Sequence, residues 1–309
     1  MNVLVLGGNG FIGTHLVDGL LLSGHSVRVF DRSAEIYRSQ LPSVDYHLCD
    51  FSDVPALAEA LEGIDIVYHL VSTTVPSTSN VDPFADIQGN LFNTVRLLQL
   101  MVQKSIFRIV FLSSGGTVYG IPDVLPIPET HPLRPICSYG VIKVAIENYL
   151  FMYKSLYGLQ PLVIRASNPY GVRQGHAGVQ GVISTFLKKI HADEKIEIWG
   201  NGSVTRDFIY ISDLINICLK AGLSGSCGIF NAGSGVGYSI NEVVSFISCA
   251  TGKKIDLITK QSRTYDVPSV VLDISKAANE FCWRPDVEIQ DGITQLWQQM
   301  KGKMFSLKG

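Results

Sequence analysis

Val3-Leu4-Val5-Leu6-Gly7-Gly8-Asn9-Gly10-Phe11-Ile12-Gly13 opens the chain with an aliphatic run that breaks into glycines. A continuous apolar run of strand length implies a strand buried on both faces. From Thr14 to Leu22, Leu16, Leu20 and Leu21 recur at helical spacing. Gly7, Gly10 and Gly13 therefore fall where a first strand turns into a first helix. There the missing side chains permit a tight turn, let backbone N–H groups approach a pyrophosphate, and let the helix close onto the sheet. A second apolar strand, Ser26-Val27-Arg28-Val29-Phe30, ends in Asp31, where an acid would meet the ribose hydroxyls of a dinucleotide. Asp31 would repel a 2′-phosphate and the following Arg32 would attract one; the acid holds the strand end, so NAD is expected over NADP.

Strands and helices continue to alternate. Val44 to Leu48, Ile64 to Leu70, Arg108 to Leu112 and Pro161 to Arg165 read as strands, with helices near 54–62, across 86–104 and from Tyr139 to Tyr157. This succession implies an α/β fold, a Rossmann-type doubly wound parallel sheet with right-handed crossovers. Beyond Arg165, turn signals such as Asn168-Pro169 and Gly200-Asn201-Gly202 become dense and the elements shorten. The expected division is an NAD-binding part over 1–165 and a smaller C-terminal α/β substrate-binding part over 166–309, with some segments returning to the main sheet.

Composition narrows the function class. The net charge of −2 is spread over 309 residues, which points away from nucleic acid and from anionic membranes. Cys49, Cys137, Cys218, Cys227, Cys249 and Cys282 form no CxxC pair, so a reduced, cytoplasmic setting is expected. No apolar run approaches the roughly 18 residues of a membrane span, and the four-residue apolar start is too short for a signal peptide. The seven histidines occur singly, and no metal site is expected.

The chemistry is announced by Ser138-Tyr139-Gly140-Val141-Ile142-Lys143. Four apart on a helix, Tyr139 and Lys143 project from one face. A free phenol is a poor base at neutral pH, but an ammonium within about 4–6 Å and an oxidised nicotinamide would favour the phenolate.

At this point the chain resembles the extended short-chain dehydrogenase/reductase family, and more closely its nucleotide-sugar 4-epimerases. The resemblance covers nearly the whole length. Gly7 to Gly13, with Phe11 and Ile12, resembles the family's cofactor loop. Asp50-Phe51 resembles its adenine-contacting acid and neighbour, His69-Leu70-Val71 stands where the family has His-Leu-Ala, and Asn90 is similar to its helix asparagine. Asn168-Pro169-Tyr170-Gly171 resembles the loop after the last main strand. Arg206 in Arg206-Asp207-Phe208-Ile209-Tyr210 resembles the arginine that holds a sugar-nucleotide phosphate, and Arg263 with Asp266 the pair that clasps diphosphate and ribose.

One departure stands out. The hydroxyl that completes the family's triad lies five residues before the glycine of Tyr-Gly, and in Ser113-Ser114-Gly115-Gly116-Thr117-Val118-Tyr119-Gly120 that register falls on Gly115. Thr117 and Ser114 are the substitutes; if the strand stays extended, Thr117 shares the face of position 115. The alternative is that the hydroxyl's job has lapsed. No Asp or Glu occurs in this segment, which argues against dehydration.

The resemblance implies an enzyme that uses NAD to interconvert the C4 epimers of a UDP-hexose through a transient 4-keto sugar. A one-way reductase of a 4-keto-6-deoxy nucleotide sugar is the alternative, and a cofactor-binding protein without turnover is a third. The resemblance also implies a homodimer seamed by the helices near 86–104 (Leu91, Val95, Leu98, Val102) and 139–157 (Val144, Tyr149, Met152). Finally, Val270, four residues after Asp266, stands at the family's gate beside the sugar 2-substituent. A small residue there implies room for UDP-GlcNAc and UDP-GalNAc, with UDP-Glc and UDP-Gal as further substrates.

Overall fold

The computed structural model describes residues 1–174, 181–261 and 267–305. Its strands begin with β1 (Asn2–Leu6), β2 (Ser26–Asp31), β3 (Val44–Leu48), β4 (Ile66–His69), β5 (Arg108–Ser114) and β6 (Gln160–Ala166). The short β7 (Asn168–Tyr170), β8 (Ile196–Trp199) and β9 (Thr205–Tyr210) precede β10 (Gly228–Ala232), and β11 (Gly237–Ser239), β12 (Leu257–Lys260) and β13 (Ser269–Val270) follow. The helices are α1 (Phe11–Leu22), α2 (Val54–Ala60), α3 (Pro83–Asp86), α4 (Asn93–Gln103), α5 (Ser138–Tyr157), α6 (Val182–His191), α7 (Ile211–Ser224), α8 (Ile240–Thr251), α9 (Ser275–Phe281) and α10 (Ile289–Phe305).

Seven strands form an all-parallel central sheet in the order β10-β6-β5-β4-β1-β2-β3, the Rossmann-type architecture expected from the opening residues. Side-chain alternation sends Val3, Val5, Val29 and Ile164 into one core with Leu16, Leu20 and Leu214 of α1 and α7. Leu4, Leu6, Phe111 and Val163 join Leu57, Leu98 and Ile142 of α2, α4 and α5 in the other. Strand order reverses between β1 and β4, and a crevice opens at the carboxyl ends of the strands at such a switch point. β9 centres a second sheet, antiparallel to β11 and parallel to β13 and β7, while β8 pairs with β12.

One expectation is refined and one corrected. The helix across 86–104 is present, with a π-helical turn over Ile87–Phe92 set between α3 and α4 and the backbone helical through both junctions. Gly89 packs so tightly that a Cβ there would lie 2.6 Å from Thr73 Oγ1, and such turns often mark functional sites. Leu98 is fully buried in the sheet core and cannot face a partner subunit. The large apolar residues exposed on this face are Phe84, Ile87 and Phe92, with Val141, Tyr149 and Met152 on α5.

Candidate active site

The crevice is floored by the glycine turn. Gly7 adopts φ +81°, and its N–H bonds Phe30 O at 2.9 Å, which fixes the turn to β2. A Cβ on Gly13 would lie 2.2 Å from Gly7 O, so α1 starts against bare backbone. The N-cap Gly10 offers no side chain to the first-turn N–H groups, which leaves the positive helix end for an anion. Asp31 Oδ2 accepts from Asn9 N at 3.0 Å and Oδ1 from Ser33 N at 3.1 Å, so its carboxylate sits over the glycine loop while Arg32 is exposed. This cradle fits a dinucleotide: a pyrophosphate on α1, a ribose by Asp31.

The remaining cofactor candidates line neighbouring strand ends. Asp50 is exposed past β3, its carboxyl held below the usual range by the hydroxyl and N–H of Ser52. Phe51 is buried and stacks 5.3 Å from the His69 ring, which lies 5.3 Å from Phe111. Burial pushes His69 down to about 3, so it is neutral, with Nε2 on Thr94 Oγ1 at 2.9 Å. Leu70 is half-buried and its backbone abuts the Gly7 turn. Asn90, inside the π-turn, accepts from Thr73 N at 2.8 Å and donates to Asp86 Oδ1 at 2.8 Å. Its role in this structure is to hold the loop after β4.

On α5, Tyr139 and Lys143 share one face as the spacing predicts. Lys143 Nζ lies 5.5 Å from the Tyr139 ring centroid and 4.6 Å from that of Phe111, and donates to Leu112 O at 2.9 Å. Burial pushes Lys143 down to about 8, opposed by the negative charge of Glu147. Burial also pushes Tyr139 up to about 12, opposed by a hydrogen bond with Ser72. Burial thus disfavours the Tyr139 phenolate in the protein by itself; the lowering expected from Lys143 together with an oxidised nicotinamide belongs to the cofactor-loaded site.

The structure also explains Gly115. A Cβ there would lie 2.5 Å from Leu272 Cδ1 and 3.1 Å from Arg165 O. The extended strand on which Thr117 was placed ends at Ser114, whose carbonyl takes Thr117 N and Val118 N at 3.3 and 3.2 Å. This turn seats Thr117 O where a Cβ on Gly140 would meet it at 2.7 Å, so Thr117 lies beside the Tyr139 turn of α5. Thr117 Oγ1 is buried and without a protein partner. Ser114 is half-buried, and Ser113 donates to Glu147 Oε1 at 2.5 Å.

Sequence reading missed what lies beneath. Glu147, one turn beyond Lys143, forms a fully buried ion pair with Arg165 at 2.6 Å. Arg165 donates to Tyr119 Oη at 3.0 Å, and Tyr119 donates to Asn231 Oδ1 at 2.6 Å. The signal was available: an arginine in the apolar strand Pro161 to Ala166, and an acid four residues after Lys143.

On the substrate side, Asn168 Nδ2 bonds Asp207 O at 2.9 Å. Arg206 Nη1 bonds Val267 O at 2.7 Å, and Arg206 faces Val270 in register. Val270 is 1% exposed, packed with Val118, Tyr119, Ile127, Val267 and Leu272. Arg263 and Asp266 lie outside the described residues. Among the described residues no cluster of His, Cys, Asp or Glu could hold a metal, and no helix is long and apolar enough to cross a membrane.

Known proteins are similar to this chain over nearly its whole length. The chain is 34% identical over 302 residues to a putative UDP-glucose 4-epimerase of Methanocaldococcus jannaschii, covering 97% of this chain and 98% of that one. It is 33% identical over 327 residues to a dTDP-4-dehydro-6-deoxyglucose reductase of Escherichia coli, covering 97% and 98%. The structure superimposes on UDP-glucose 4-epimerase with UDP-glucose from Thermotoga maritima with a TM-score of 0.94 at 30% identity, over 98% of this chain and all of the other. Residues 3–233 match the NAD dependent epimerase/dehydratase family, and with its glycine cradle and its tyrosine–lysine helix the chain belongs to that family.

Proposed function

We propose that the chain is an NAD-dependent 4-epimerase of a UDP-hexose, with UDP-GlcNAc and UDP-GalNAc as its main pair and UDP-Glc and UDP-Gal as further substrates. The observation that carries this reading is the buried, unpartnered Thr117 hydroxyl beside the Tyr139–Lys143 face. The Gly7–Gly13 turn and Asp31 would hold NAD, which would supply the hydride chemistry at the sugar C4. Tyr139 would take the proton of the 4-hydroxyl and give it back to the epimer. Thr117 would hydrogen-bond O4, and Lys143 would supply the nearby cation that favours the phenolate. Arg206, with Arg263 and Asp266, would hold diphosphate and ribose, and Asn168 would line the sugar side.

The test is incubation with each of the four UDP-sugars without added cofactor, followed by chromatography. Appearance of the C4 epimer is expected; no epimer from any of them would overturn the reading. The E. coli relative favours a second reading, reduction of a 4-keto-6-deoxy nucleotide sugar, which would consume added NADH or NADPH stoichiometrically.

Three further outcomes are expected. Thr117→Val should lower kcat about 10–1,000-fold, the range for one well-aimed hydrogen bond in a site; near-normal activity would move the role to Ser114. Val270→Tyr should depress turnover of the N-acetylated pair while sparing UDP-glucose, checked on variant protein whose circular dichroism is unchanged. Equal loss on both pairs would remove Val270 as the gate. Light scattering at micromolar concentration should give a homodimer mass, since Phe92, Val141, Tyr149 and Met152 leave apolar area on two adjacent helices.

A further inference from the structure

The first N–H groups of a helix have no partner within it, and in α5 two of them are met from elsewhere in the chain. The loop after β4 supplies the partners: Asn80 Oδ1 accepts from Ser138 N at 2.8 Å, and Ser79 Oγ accepts from Tyr139 N at 3.1 Å. With this loop packs Asp86, the last residue of α3, which is fully buried. Its Oδ2 accepts from the Ser138 hydroxyl at 2.6 Å. Its Oδ1 accepts from Thr74 Oγ1 and from Asn90 Nδ2, both at 2.8 Å. Asn90, inside the π-turn, accepts in turn from Thr73 N at 2.8 Å. One buried carboxyl thus ties together the loop after β4, the π-turn and the start of α5. Thr117 O packs against Gly140 in the same helical turn, so the turn that carries Tyr139 is held by two separate segments.

We propose that Asp86 is a positioning residue for the reaction: by holding Ser138 and the capping loop in one knot, its carboxyl fixes the first turn of α5 and with it the place of the Tyr139 phenol. The assignment rests on reading Tyr139 as the acid/base. Asp86 is fully buried, so it acts through Ser138 and the loop. Placement is steeply felt at such a site, where a shift of about 1 Å in a reacting group costs up to about 100-fold in rate. The charge of Asp86 is a separate matter. It works against the Tyr139 phenolate, as burial and Cys137 do, and it favours the Lys143 ammonium. An amide in its place separates charge from geometry. In Asp86→Asn the remaining oxygen still accepts from Thr74 and Asn90, and the amide donates to Ser138 once that hydroxyl turns to accept. In Asp86→Ala all three donors lose their acceptor together.

The experiment measures amide hydrogen exchange and steady-state kinetics in the parent protein and in Asp86→Ala, Asp86→Asn and Ser138→Ala. Asp86→Ala should speed exchange over 138–143 on the order of tenfold relative to 150–157 at the far end of α5, while Asp86→Asn keeps the parent's pattern. Asp86→Ala should lower kcat about 10–100-fold with KM little changed, and Asp86→Asn should stay within about threefold of the parent. Ser138→Ala removes one link and leaves the rest of the knot, so it is the variant to read if Asp86→Ala does not fold. It should speed exchange and lower kcat in the same direction, and cost little more when Asp86 is already alanine. Unchanged exchange over 138–143 in Asp86→Ala and Ser138→Ala would overturn the proposal. A kcat in Asp86→Asn as low as in Asp86→Ala would do the same, because charge and not placement would then matter. The exchange needs no turnover, so it reports on Asp86 even if none of the UDP-hexoses is epimerised.

Discussion

Tyr139→Phe is expected to lower kcat by about 10²–10⁴-fold while the protein keeps its fold and its NAD, because the change deletes one oxygen from an otherwise intact ring. The ring still packs near Lys143, so the loss isolates the proton-transfer step. A second signature separates this from a packing defect. Burial holds the phenol high, and with the phenolate as the proposed base, activity of the parent protein should rise with pH along its acid limb. That limb should flatten in Tyr139→Phe. Activity within tenfold of the parent would remove Tyr139 as the acid/base.

Glu147→Ala is expected to cost about 3–5 kcal/mol of stability, since it leaves the guanidinium of Arg165 buried without its counter-ion. The midpoint of thermal unfolding should fall on the order of 10 °C. Ser113 loses its acceptor in the same step, and Arg165, which donates to Tyr119 Oη, loses its anchor; Ser113 and Tyr119 both belong to the segment that carries Thr117. The double variant Glu147→Leu, Arg165→Met should recover most of the loss, because replacing both charges by apolar groups removes the desolvation penalty together with the attraction. Equal instability in the single and double variants would show that hydrogen bonds of the network, and not the stranded charge, set the cost.

The parts of the site legible in the sequence are those whose chemistry is local. Gly7 to Gly13 is readable because a tight turn and a close helix approach each forbid a Cβ within a few residues of one another. Tyr139 and Lys143 are readable because helical spacing alone places them on one face. The central sheet follows from strands whose apolar runs leave no solvated face. What was not legible depends on partners far apart in the chain. Glu147 acquires its meaning from Arg165 and Ser113, and Asp86 from Asn90 and Ser138. The π-helical turn in the helix across 86–104 has the same origin: local spacing reads only as a continuous helix, and Asn90 and Gly89 meet Thr73 from another part of the chain. Thr117 was reached by counting along an extended strand, whereas a turn after Ser114 delivers it. The desolvation of Tyr139 is likewise absent from the sequence, which displays the neighbouring charge but not the burial.

The contact between position 115 and Leu272 has a consequence for how this site can change by mutation. Leu272 is fully buried, and it pins the turn to the segment that also carries Val270. A serine introduced at 115 alone must displace Leu272 before its hydroxyl can reach the sugar, so the single step carries strain without function. A smaller residue at 272 alone leaves a void in the core. The two substitutions help only together, and the order in which they arise decides whether an intermediate survives. A hydroxyl at position 115 is thus reachable only through a paired change at 272, and the barrier to gaining it lies in the packing rather than in the chemistry.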